Sequence, residues 1–202
     1  CHSGCSNCCY QMVAITFADA WVIAQALTRL SAELQQATVV VLTRAAAAQA
    51  PMDHISWLEQ KRPCIFLSPE GLCGIYPIRP LNCRQVLSTA PPENCAPEDL
   101  VALYSGKKRP EPALVPWGQL EALFPLAQSS ARPVLQSFGI KSDLPPAPLP
   151  VAVLAAFYTI TTGKADALAS WASNPPKPRH GLETAPDRSP LPLPIQANSA
   201  SR

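Results

Sequence analysis

The sequence predicts a mainly α protein: a small, irregular helical domain followed by a disordered Pro-rich C-terminal tail. Three observations lead to this fold class. Apolar residues, which make up 48% of the chain, recur at helical spacing along much of it. All eight cysteines fall within residues 1–9 and 64–95. Proline accounts for 24 of the 202 residues, against an average usage of about 5% in proteins, and many of these prolines lie near the C-terminus.

A long helical pattern follows the first cysteines. Seven apolar residues recur at alternating steps of three and four: Ala20, Ile23, Leu27, Leu30, Leu34, Ala37 and Val41. This continuous stripe predicts one helix that frays or bends before Pro51. Asp19 lies near its start, where a carboxylate interacts favourably with the helix dipole. A short helix is predicted within residues 52–62.

Proline and glycine mark the helices of the second half. A helix is predicted from Pro97 to Gly106, because proline suits a first turn and glycine ends a helix. Residues 117–140 predict one or two helices, interrupted at Pro125 and Pro133, because proline removes an intrahelical hydrogen bond.

The last helices precede the tail. An apolar helix is predicted from Pro150 to about Thr162, with Gly163 as its stop. Residues 165–172 add about two turns. From residue 174 to 202 the chain contains seven prolines and little apolar sequence, so this segment is predicted to be disordered.

The cysteines indicate a metal centre. They are Cys1, Cys5, Cys8, Cys9, Cys64, Cys73, Cys83 and Cys95. Thiolates bind zinc and iron strongly, and closely spaced thiolates close a site at low entropic cost. Residues 63–95 are too rich in Pro and Gly for long elements, with short hairpin strands at most, and a metal would hold them. We therefore expect the irregular helical domain to be organised around a cysteine-bound metal centre.

Other uses of the cysteines are less favoured. A disulfide framework is disfavoured because the cysteines are tightly grouped and the chain has apolar segments enough for a core. The first three cysteines also match the C-x3-C-x2-C triplet of radical S-adenosylmethionine enzymes, but the strand–helix alternation of those enzymes does not follow. Two four-thiolate sites and one polynuclear cluster with spare cysteines fit the spacing equally. His2, within the first group, is a weaker candidate ligand, and His54 is predicted to be a helix-surface or half-buried histidine.

Basic and aromatic residues accompany the second group. Arg79 and Arg84 lie close in sequence to Cys83, where cations would lower the pKa of a thiol and offset the charge of a metal–thiolate site. Tyr76, beside Cys73, is predicted to pack against the metal centre or to donate a hydrogen bond to a sulfur atom.

Several motifs together resemble the YkgJ-type cysteine-cluster family, a zinc- or iron-chelating domain named for its CxxCxxCC motif. These are CSNCC at 5–9, PCIFL at 63–67 and CGIYPIRPLNCR at 73–84, with Cys95 after them. The resemblance covers residues 1 to about 97. The chain departs from many relatives in the C-x3-C spacing of Cys1 and Cys5 and in Ser6, where a glycine is common.

The resemblance implies a metal-binding protein of unassigned reaction, with zinc or iron, including an iron–sulfur cluster, as the metal. The alternative function is enzymatic, either an iron–sulfur oxidoreductase or a protein lysine N-methylase related to flagellin methylases. A glycine-rich strand-to-helix turn for a methyl donor is not found in the sequence. The sequence does not decide whether the protein is an enzyme.

The organisation and partners are predicted as follows. Residues 1–97 form the cysteine-cluster metal-binding region, 98–173 a helical extension packed on it, and 174–202 the tail. A net charge of +2 and a charged fraction of 15% argue against nucleic acid or a membrane surface as partner. The apolar run 151–160 is shorter than the ~20 residues of a membrane span. We expect a bacterial, cytoplasmic protein, with the metal ion as partner and further residues upstream of Cys1.

Overall fold

The computed structural model describes residues 5–85, 95–107, 123–140, 144 and 146–173. The helices within these ranges are α1 Phe17–Leu27, α2 Ala32–Gln49, α3 His54–Glu59, α4 Leu81–Gln85, α5 Pro97–Tyr104, α6 Leu123–Ser137, α7 Leu149–Thr162 and α8 Asp166–Ser173. Two 3₁₀ turns are formed by Asn7–Tyr10 and Tyr76–Ile78. The predicted mainly α class is confirmed. Cys1, His2 and the predicted tail, 174–202, lie outside the described residues.

Helix α7 is the centre of the core. It starts after Pro148, which precedes the first turn, and ends at Gly163, whose φ of +69° is the left-handed conformation that glycine adopts without strain. Its helix partners are α1, α2 and α8. The side chains that meet there are almost fully buried: Ile23, Ala24, Leu27, Leu42, Ala46, Ala152, Val153, Ala156 and Leu168.

A two-stranded antiparallel sheet ties the start of the chain to α7. Strand β1, Ala14–Ile15, pairs with β2, Ala147–Pro148. The Leu149 N–H also donates to the Val13 carbonyl at 2.9 Å. Residues that lead out of the first cysteine group are therefore fixed directly to the beginning of the central helix.

The prediction of one helix from Asp19 to Pro51 is wrong, because α1 and α2 are separate. The Ser31 hydroxyl accepts from the Leu34 N–H at 3.4 Å and begins α2. The Gln35 amide donates to the carbonyls of Thr28 and Leu30 at 3.1 and 2.8 Å. These side-chain bonds satisfy polar backbone groups at the break, so the chain can turn there.

The buried face of α2 also differs from the predicted stripe. Thr38, Leu42, Ala46 and Gln49 are buried. Of the predicted stripe, Ala37 is exposed, whereas Val41 is partly buried and packs against the core. The Thr38 hydroxyl donates to the Leu34 carbonyl at 2.7 Å, which satisfies this buried polar group within the helix.

The predicted interruption at Pro125 and Pro133 is also wrong, since α6 is continuous over Leu123–Ser137. Pro125 lies in the first turn, where N–H groups have no intrahelical acceptor, so it removes no bond. Pro133 lies in the interior and removes one bond. Burial of Ala131 and Leu135 against the core holds the helix on both sides of Pro133.

The short helices α3 and α5 were predicted at nearly the observed positions, and they pack against each other. The His54 ring meets the Tyr104 ring edge to face, with centroids 4.8 Å apart. The Lys61 ammonium bonds the Glu98 carboxylate across the same pair. None of the helices in the described parts of the chain is long and apolar enough to cross a membrane.

Candidate metal centre

The first cysteine group is held by a 3₁₀ turn. The Cys9 N–H donates to the Ser6 carbonyl at 2.8 Å and the Gln11 N–H to the Cys8 carbonyl at 3.3 Å, so Cys8 and Cys9 have fixed backbone positions. The Cys9 carbonyl in turn accepts from the Cys64 N–H at 2.6 Å. This bond joins the first group directly to the second.

Cys64 and Cys73 lie at the two ends of a tight loop. Leu67 and Cys73 form an isolated antiparallel bridge, and the Gly74 N–H donates to the Phe66 carbonyl at 2.7 Å. The sequence predicted short hairpin strands at most in this segment, and the structure has a single bridge there. Phe66 and Ile75 are buried in the core, and Cys64 and Cys73 pack against the same core, so the loop is anchored there.

Cys83 is positioned by helix α4, which is attached to the start of α1. The Leu81 N–H donates to Asp19 Oδ1 at 3.2 Å, and the Asn82 side chain donates to the Ala14 carbonyl. The same Asp19 carboxylate closes a capping box with Thr16 at the N-terminus of α1. One acidic side chain thus fixes both the first turn of α1 and the helix that carries Cys83.

Five thiols converge from these three segments and interact electrostatically with one another. We call them the five-thiol cluster: Cys8, Cys9, Cys64, Cys73 and Cys83. A hydrogen bond from Cys9 lowers the pKa of the Cys8 thiol to about 6, and the same bond raises the pKa of Cys9. Burial raises the pKa of Cys64, and that of Cys83, to about 12. The hydrogen bond between Cys8 and Cys9 thus favours one thiolate in this pair, whereas burial disfavours the thiolate form of Cys64 and Cys83.

Among the described basic residues, Arg79 affects the pKa of several thiols of the cluster. Burial raises the pKa of Cys73, and attraction by Arg79 and Arg84 opposes that rise. Arg79 acts in the same direction on the pKa of Cys8 and of Cys83. The guanidinium carbon of Arg79 lies 5.0 Å from the centre of the Tyr76 ring, so Tyr76 packs on Arg79. A contact of Tyr76 with the metal centre stays a prediction.

The remaining predicted ligands are placed differently. Cys5 precedes the 3₁₀ turn, and Cys95 precedes α5. Both are half-buried. Every cysteine that the structure describes is a free thiol, so no disulfide forms among them.

The donor atoms of the cluster suit a thiophilic metal, but the side chains do not have the arrangement of a metal site. Within the described ranges, no three His, Cys, Asp or Glu side chains are placed so that they could hold a metal ion as they stand. Thiolate sulfur is the donor that zinc and iron sites prefer, and a cysteine changes its sulfur position by rotation about the single χ1 bond. Closing the site therefore requires rotation of thiols whose backbones already lie together.

Asp19 and Thr16 are functional positions that the sequence reasoning missed. Asp19 was interpreted only through the helix dipole, whereas its carboxylate also binds the Leu81 N–H. The T-x-x-D spacing of Thr16 and Asp19 is the signal of a capping box and would have given the start of α1. The bond to Leu81 spans 62 residues and has no local signal.

Comparison with known proteins agrees with the motifs. Residues 1–100 match the family model CxxCxxCC, which is described as "Putative zinc- or iron-chelating domain". This match confirms the predicted family and the predicted segment. No curated protein and no solved structure matches the chain.

Proposed function

Because the chain belongs through residues 1–100 to the CxxCxxCC family of zinc- or iron-chelating domains, we propose that it binds zinc or iron through the thiolates of the five-thiol cluster. The observation that carries this proposal is the convergence of five thiols from three segments, joined by the 2.6 Å backbone bond between Cys9 and Cys64. Cys1, Cys5 and Cys95 are ligands only in the sequence prediction, and the site proposed here does not include them.

The bound ion would stabilise a stretch of the described chain that has little regular structure. Residues 62–80 contain one isolated bridge and one 3₁₀ turn, and most of their backbone hydrogen bonds close local turns. A metal that joins Cys64 and Cys73 to Cys8 and Cys83 would fix the loop between the first turn of the chain and α4. Metal binding at such a site displaces protons from the thiols, so affinity falls as the pH is lowered.

The proposal is tested by replacing one thiol inside the cluster and one outside it. Cys83→Ser is expected to lower the zinc or iron content of the purified protein and to make residues 62–80 sensitive to protease. Cys5→Ser, in the same short N-terminal segment as Cys8, is the matched control and is expected to retain the cluster's ion. Elemental analysis and limited proteolysis measure both effects.

Two results would contradict the assignment. Full metal content and wild-type affinity in Cys83→Ser would show that Cys83 is not a ligand of the ion. Equal loss of metal in Cys5→Ser would show that the ligand set extends beyond the five thiols.

The second prediction is an iron–sulfur cluster with an oxidoreductase role. It uses the same donors, because an iron–sulfur cluster and a tetrahedral zinc site are each held by four ligands, so the number of thiols does not separate the two. Anaerobic reconstitution with iron and sulfide, followed by a visible absorption spectrum, separates the two. A brown protein with acid-labile sulfide supports the cluster, and a colourless zinc protein excludes it. The lysine methylase alternative stays a prediction, because no observation favours it.

We also propose a cytoplasmic location, which the tight grouping of the cysteines supports, since it favours metal binding over a disulfide framework and a reducing compartment keeps such cysteines from pairing. Zinc in the purified protein together with unpaired thiols, counted with a thiol reagent, is the result expected from this. Paired cysteines in protein isolated from its native cell would contradict it.

A further inference from the structure

We propose that the docking of α5 on α3 is sensitive to pH, and that protonation of His54 releases α5 together with Cys95, which lies two residues before it. Neither helix carries a member of the five-thiol cluster, so this inference goes beyond the proposed function. It concerns the contact that holds α5 in place.

Helix α5 has α3 as its main helix partner. The buried side chains of the two helices are Trp57 and Leu58 on α3 and Leu100 on α5. The ion pair of Lys61 with Glu98 joins the same helices, but both of its side chains are more than half exposed, so solvent weakens it. A small interface of this kind opens locally more easily than the main core, and a single unfavourable group shifts its equilibrium.

His54 lies in this interface and has no acceptor there. Its ring meets the Tyr104 ring edge to face, with centroids 4.8 Å apart. Its Nε2 atom is buried and has no hydrogen-bond partner in the described part of the chain. The same is true of the indole Nε1 of Trp57, which lies one helical turn further along α3. The contact therefore has no spare acceptor to offer to an additional N–H group.

A neutral imidazole suits this place better than an imidazolium. Protonation makes both ring nitrogens donors and adds a charge, and burial of a charged donor without an acceptor is costly. Accordingly, burial lowers the pKa of His54, and the attraction of the Asp53 carboxylate partly opposes this. The other charged or titratable side chains on the two helices and at their ends are Glu59, Lys61, Arg62, Cys95, Glu98, Asp99, Tyr104 and Lys107.

The direction and the upper limit of the effect follow from proton binding. When α5 is released, His54 regains the ordinary pKa of about 6.5, so the open state binds the proton more readily than the docked state. Docking is therefore fully stable above pH 6.5 and weakens as the pH falls towards the pKa of docked His54. Between pH 7.5 and 5.5 the docking equilibrium can weaken by at most about tenfold.

Hydrogen exchange measured by mass spectrometry on the full chain tests this proposal. After correction for the pH dependence of intrinsic exchange, the protection of α5 amides is expected to fall about three- to tenfold between pH 7.5 and 5.5. In His54→Gln it is expected to change by less than about twofold. Both proteins contain the same cysteines, so titration of the thiols affects them equally. The protection of α7 amides is the internal control and is expected to agree between the two proteins.

Two outcomes would overturn the role of His54. One is an equal fall of α5 protection in the wild type and in His54→Gln. The other is a rise of α5 protection in the wild type at pH 5.5, which would show that the Tyr104 ring stabilises the imidazolium. Metal binding is measured separately, so either outcome leaves the proposed function intact.

A second variant keeps the test decisive if His54→Gln does not fold. Asp53 accepts from the Ser56 N–H at 2.7 Å as the N-cap of α3, and asparagine retains an oxygen for this bond. Asp53→Asn removes the charge that favours protonated His54. It is therefore expected to show a larger fall of α5 protection between pH 7.5 and 5.5 than the wild type. An equal or smaller fall would overturn the role of His54.

Discussion

Asp19→Ala is expected to destabilise the protein more than the loss of an ordinary helix cap. The Asp19 carboxylate accepts from the Thr16 N–H at 3.2 Å and from the Thr16 hydroxyl at 2.8 Å. It also accepts from the Leu81 N–H, the first residue of α4, at 3.2 Å. Alanine removes the acceptor in all three bonds, so α1 loses its capping box and α4 loses its attachment to α1.

The size of the effect follows from these bonds. Loss of a helix cap costs about 1 kcal/mol. A partly buried donor left without an acceptor, as the Leu81 N–H would be, costs about 1–3 kcal/mol. We therefore expect Asp19→Ala to lower the free energy of unfolding by about 3 kcal/mol. Asp53→Ala is the matched control: Asp53 caps α3 by accepting from the Ser56 N–H at 2.7 Å at an exposed position, so about 1 kcal/mol is expected.

Urea denaturation of the metal-free variants, followed by far-ultraviolet circular dichroism, measures both free energies. Zinc titration provides a second measurement, because Asp19 positions the helix that carries Cys83 whereas Asp53 lies in α3. We expect weaker zinc binding in Asp19→Ala and wild-type binding in Asp53→Ala. Equal losses of stability in the two variants, with equal zinc affinity, would refute the argument that Asp19 couples α1 to the candidate metal centre.

Two further predictions concern the helices around this site. Gly163→Ala is expected to lower the free energy of unfolding by about 1 kcal/mol, because φ is +69° at this position, although a Cβ there would meet no atom within 4 Å. Gly163→Asn is expected to lose less stability in thermal denaturation, because asparagine tolerates this conformation. Equal losses in the two variants would contradict the backbone explanation. Burial lowers the pKa of His54, partly opposed by Asp53, so the unfolded chain binds the proton more readily than the folded one. The contribution of neutral His54 to stability is therefore complete above the pKa of about 6.5 in the unfolded chain, and it is lost as the pH falls below that value towards the pKa in the folded protein. The urea midpoint of the wild type is expected to fall more between pH 7.5 and 5.5 than that of His54→Gln. Parallel curves for the two proteins would contradict this.

The local part of the fold was predictable from the sequence, because helix signals lie within the helix itself. The predicted helix from Pro150 to Thr162 agrees with α7 to within a residue, since an apolar run ends there at a glycine. The break between α1 and α2 was not predicted because Leu30 and Leu34 continue the stripe across it. Side-chain bonds from Ser31 and Gln35 end one helix and begin the next, and apolar spacing does not report them.

The sequence predicted which residue type forms the candidate site, but not which of the cysteines lie together. Clustered cysteines indicated a metal centre, and family membership follows from the same motifs. Which thiols meet depends on bonds between distant segments, such as Cys9 to Cys64 and Asp19 to Leu81. The bonds of Arg84, whose Nε and Nη2 donate to the carbonyls of Arg79 and Pro77, also have no signal in the sequence.

The pairing of β1 with β2 has a consequence for how the protein is made. Ile15, which lies close to the first cysteines, pairs with Ala147 in the sheet, so this pairing forms only after a further 132 residues have been synthesised. At a synthesis rate of about 5–20 residues per second, this interval lasts roughly 7 to 26 s. During that time the nascent cysteines have no completed core beside them. Oxidants and competing metals in the cell have their best access to these thiols while the ribosome is still working.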